Sequence, residues 1–205
     1  MKSNDVQERV SQAVQRLNSL LLSLAASCWQ TLQDSTEIAQ EVAKDPFTSE
    51  VKVQAATAEL LIVLLHVCDR VASAAFSVAL PAQPASVLRN AFMTALVGVT
   101  VPAFARLACP EEDLEEQQET QADLLHLYNV RATQYGFFAL GSTDTPDGNE
   151  PLCKLAGIRL AEALECPDSA EVVTQGVKVI VASLAALREQ LPLQETIGQL
   201  IAGVQ

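Results

Sequence analysis

The chain has two histidines, and each lies among acids at helical spacing. In Glu59-Leu-Leu-Ile-Val-Leu-Leu-His66-Val-Cys-Asp69-Arg70 an almost wholly apolar stretch carries polar residues at 59, 66, 69, 70, 73 and 77. These positions share one side of a helix that turns roughly 100° per residue. Glu59, His66 and Asp69 are therefore placed to line a cleft, with imidazole available to carry a proton or bind a ligand near neutral pH. The second segment is Asp123-Leu-Leu-His126-Leu-Tyr128-Asn129-Val-Arg131-Ala-Thr-Gln-Tyr135. Asp123 and His126 have the i, i+3 spacing by which carboxylate and imidazole chelate metals in helical bundles. A mononuclear site from His66, Asp69, Asp123 and His126 follows as one expectation, although the Glu and Glu-x-x-His sets of a dinuclear centre are absent.

Arg131 falls between Tyr128 and Tyr135 on the stripe that also carries Leu124 and Phe138. A cation on an apolar face needs a partner, and the sequence offers Tyr135 by stacking or Asp69 by ion pairing. His66, Asp69, Arg70, Arg131 and Tyr135 make up the candidate polar pocket, with an Asp69–Arg131 contact as its expected centre. The same polar stripe also suits a purely structural part, as the wetted edge of a central helix or an ion-pair network between helices.

Other chemistry is excluded on spacing. Asp144-x-x-Asp147-Gly148 departs from a calcium loop, because aligning Gly148 with the turn glycine puts Lys154 where the bidentate acid belongs. Neither Gly-x-Gly-x-x-Gly nor Gly-x4-Gly-Lys occurs, and no glycine-flanked serine forms a nucleophile elbow. No catalytic residue and no cofactor are assigned. Glu111, Glu112, Asp113, Glu115, Glu116, Glu119 and Asp123 stand without a base among them, a solvated helix start or a docking face for a basic protein.

The elements that must hold these residues are helices. The 205 residues include 8 Gly and 9 Pro, and 49% are hydrophobic while 4% are aromatic, a composition poor in breakers and in strand-favouring aromatics. Val6, Val10, Ala13, Leu17, Leu20, Leu21, Leu24, Cys28 and Leu32 step by three and four along a long amphipathic N-terminal helix. Asp34 and Glu37 have capping-box spacing, which allows a break near Gln33. Asp45-Pro46 opens a second helix running to about Leu80, and the proline linker 81–84 separates it from a third over Ala85–Ala108, kinked or interrupted at Pro102. A fourth runs from Pro110 to about Leu140, followed by the longest surface loop, 141–148. A fifth starts at Asn149, a sixth is capped by Asp168 with Glu171, and a short terminal helix carries Leu193 to Val204. The expected fold is all-α, a single-domain bundle of six to seven helices over residues 1–205.

The formal charge of −12 opposes association with nucleic acid or an anionic membrane surface. The uncharged run between Arg89 and Arg106 is shorter than an untilted membrane span. Five scattered cysteines without a C-x-x-C pair, and an amphipathic start without a signal-peptide pattern, give cytoplasmic localisation as the expectation. The function expected is noncatalytic, helix-mediated association, with a homodimer favoured and a protein client as a further partner. Its motive is the long apolar stripe of the first helix. The alternative is a metal- or small-ligand-binding bundle built on the second and fourth helices.

Overall fold

The computed structural model describes residues 3–44, 49–109, 114–136, 150–189 and 191–203, which form eight helices and no strand. They are α1 (Ser3–Gln33), α2 (Thr36–Ala43), α3 (Ser49–Ala79), α4 (Ala82–Ala108), α5 (Leu114–Tyr135), α6 (Glu150–Ala163), α7 (Ala170–Glu189) and α8 (Leu191–Ala202). The fold is all-α, with one helix more than the largest number expected because α2 is separate from α1. The Asp45-Pro46 start, the Pro110 start and the 141–148 loop lie outside the described residues.

Helix boundaries follow local hydrogen bonding. α2 begins one residue later than the capping-box reading places it, and the Ala39 N–H donates to the Ser35 carbonyl at 2.9 Å. α7 is likewise capped by Ser169 rather than Asp168, its Oγ accepting from the Val172 N–H at 3.3 Å. α4 starts earlier than expected, with Pro81 as its N-cap and the Ala85 N–H donating to the Pro81 carbonyl at 3.0 Å. Pro84 is thereby in the first turn, where a missing N–H leaves no helical bond unmade. Pro102 lies inside α4, which continues through it to Ala108.

The chain packs as two compact units, one of residues 1–22, 65–125 and 186–205, the other of 23–64 and 126–185. In the first, Phe76 of α3 meets Phe92 of α4 edge to face, with centroids 6.4 Å apart and planes at 85°. Leu17, Leu21, Leu96 and Leu200 are buried with them. In the second, Leu32, Ile38, Leu61, Leu160 and Ile180 are buried. Every residue of α3 from Ala58 to Asp69 is buried, so this stretch carries apolar residues outside its polar stripe as well because protein surrounds it, whereas Val51 and Val78 nearer the helix ends are exposed.

Three helices, within Ser49–Ala79, Ala82–Ala108 and Ala170–Leu187, are long and apolar enough to cross a membrane by length and composition. This corrects the reading taken from the uncharged run alone, since a span can include an occasional charge. Nor is α4 buried all round, for Val87, Asn90, Ala91, Thr94 and Gly98 are exposed along it.

Within the second unit α6 and α7 cross closely. A Cβ on Gly157 would lie 2.8 Å from the Val173 carbonyl oxygen and 2.8 Å from Val177 Cγ2, whereas one on Gly98 in α4 would meet nothing within 4 Å. Gly157→Ala is therefore expected to lower unfolding stability by about 1–3 kcal/mol through overpacking. Gly98→Ala, whose methyl meets nothing in its own chain, should raise the stability of the monomer by up to about 1 kcal/mol through helix propensity. Urea titration of the two variants checks the opposite signs, and equal shifts would rule out the close crossing.

Candidate functional site

The buried acids among the described residues are Glu59 and Asp69, both on α3. An ionised carboxylate removed from water requires donors around it, and each is met by an arginine from another helix of its own unit. In the second unit, Arg131 of α5 donates from Nε to Glu59 Oε1 at 2.9 Å and Oε2 at 3.1 Å, and from Nη2 to Oε1. Its Nη1 donates to Gln134 Oε1 at 3.1 Å. The Glu59 and Arg131 side chains are 5% and 12% exposed. In the first unit, Arg89 of α4 grips Asp69 with two parallel bonds, Nε to Oδ1 and Nη2 to Oδ2, both 2.6 Å. That pair is wetter on one side, with Arg89 43% exposed.

The expected Asp69–Arg131 contact is thus replaced by two pairs, Glu59–Arg131 and Asp69–Arg89. The residues of the candidate pocket are assigned to different units. His66, Asp69 and Arg70 belong to the first unit, while Arg131 and Tyr135 belong to the second. Arg89 was missed as a partner although a signal existed, since the short Pro81 turn folds α4 back along α3. Glu59 was recognised as a buried polar residue but not as the acid for Arg131, because 72 residues separate them and no local pattern encodes that pairing.

Tyr135 is fully buried beside this cluster. Burial raises its pKa, and the negative charge of Glu59 raises it further against the opposing effect of Arg131. For Arg131, burial disfavours the cation, but the hydrogen bonds and charge of Glu59 outweigh it and the pKa rises. Both groups are locked in their ordinary protonation states, the opposite of what proton transfer at neutral pH requires. Arg159 of α6 donates to Glu162 at 2.9 and 2.7 Å within its own helix.

The metal site is corrected. No three His, Cys, Asp or Glu side chains among the described residues are arranged to hold a metal ion. Asp123 and His126 are exposed while His66 and Asp69 are buried. The face of α5 turned inward carries Leu124, Arg131 and Tyr135, and the helical period points 123 and 126 away from it. Glu115, Glu116 and Glu119 are exposed at the start of α5, the solvated arrangement open to them from the sequence.

All five cysteines are free and buried. The Cys28 thiol lies 2.5 Å from Ser183 Oγ, and the same hydroxyl lies 2.7 Å from the Val179 carbonyl oxygen. Burial raises the Cys28 pKa, partly offset by the Ser183 contact. Burial, with the adjacent Asp69 charge, pushes the Cys68 thiol up from 9.0 to about 12. Neither is set up as a nucleophile. No protein-family model, curated protein or solved structure matches the chain.

Glu59→Ala should cost on the order of 3 kcal/mol by stranding Arg131, and adding Arg131→Met should recover part of that loss. Arg89→Ala should cost about 1–2 kcal/mol, because water still reaches the Asp69 pair. Denaturant titrations of the single and double variants check this, and strictly additive effects would disprove the Glu59–Arg131 pair.

A second expectation concerns alkali. The folded Cys68 pKa lies above the unfolded one, so its contribution is fully present below pH 9.0 and is lost as pH rises towards about 12. Between those values stability should fall by about 1.4 kcal/mol per pH unit from this group. Cys68→Ala should make the decline shallower; an unchanged slope would contradict the burial of that thiol.

Proposed function

We propose that the protein is a noncatalytic, cytoplasmic helical bundle that acts by self-association, and that the outward face of α4 is the surface where two copies meet. The observation that carries this reading is the exposure of α4. No charge occurs between Arg89 and Arg106, yet only 44% of the helix's apolar window is buried. Val87 is 63% exposed, and Ala91, Thr94 and Gly98 follow it outward at helical spacing. Uncharged small residues let two helix backbones approach closely, and an uncharged seam brings no like charges together despite the net charge of −12.

Val14, Leu17, Leu21, Ala25, Cys28 and Leu32 are covered by the chain's own packing. The reading rests on α4, where an apolar side is open. Five free thiols support a reducing compartment, and the acidic net charge argues against nucleic acid as a partner.

A second reading is favoured by the apolar length of α4 and α7, of whose windows 44% and 39% are buried. On that reading the open faces meet a neutral lipid surface. Both readings are tested by sedimentation velocity on wild type, Ala91→Glu and Gly98→Glu, with and without phosphatidylcholine vesicles. The proposal expects wild type to sediment as a dimer, and both variants as monomers of unchanged helicity. A monomeric wild type, or a dimer indifferent to both substitutions, would overturn it. Vesicle binding by a monomer that Ala91→Glu abolishes would replace it with the lipid reading.

A further inference from the structure

We draw no further inference here: the strongest candidate, the surface concavity of about 340 Å³ lined by Gln33, Ala39, Val42, Ala43 and Ser49, has no charged side chain to select a ligand, and nothing in the structure shows what covers it.

Discussion

Glu59 is the constraint on which the second unit depends. It begins the polar stripe of a helix whose other residues from Ala58 to Leu65 are apolar, and all of them are buried. A carboxylate there is tolerable only if an oriented cation meets it, since leaving it unpaired costs several kcal/mol. Arg131 does so with its Nε and Nη2 while Gln134 takes Nη1. The pairing fixes which face of α5 turns inward, and the same rotation sends Asp123 and His126 to the surface.

Asp69 sets the corresponding condition in the first unit. There the partner is close in sequence, twenty residues on in the next helix, and the fork geometry holds α4 against α3 in register. Phe76 and Phe92 pack across the same two helices. The two arginines differ in what they enforce. A half-exposed Arg89 leaves one side of its pair to water, whereas Arg131 is enclosed, so that only the latter strongly restricts alternative packings.

What the sequence made legible was whatever depends on neighbours along the chain. The 3–4 stepping from Val6 to Leu32, the break near Gln33 and the proline turn before α4 all rest on local periodicity and backbone chemistry. The caps were displaced by one residue at Ser35 and Ser169 because serine beside aspartate offers two acceptors of similar strength. Glu59, Asp69 and Arg131 were recognisable as polar residues on apolar faces, but their pairing was not. A helical wheel gives the direction of a side chain relative to its own axis, not the height at which another helix passes. Both carboxylates of α3 fit Arg131 by direction alone, so choosing between them required the packing.

The same limit governs hydropathy. α3 and α4 are similarly apolar by composition, and both are long enough to cross a membrane. In α3 the apolar residues around Glu59 and His66 are enclosed on all sides, and burial in protein accounts for its composition. In α4 the inward face holds Phe92, Leu96 and Phe104, and the outward face from Val87 to Gly98 has no such cover. An apolar outer face contributes nothing to the core of its own chain and raises the cost of hydration. It has a physical rationale when something other than water meets it. That asymmetry distinguishes α4 from every feature of the charged stripe, whose buried acids are already answered inside the molecule.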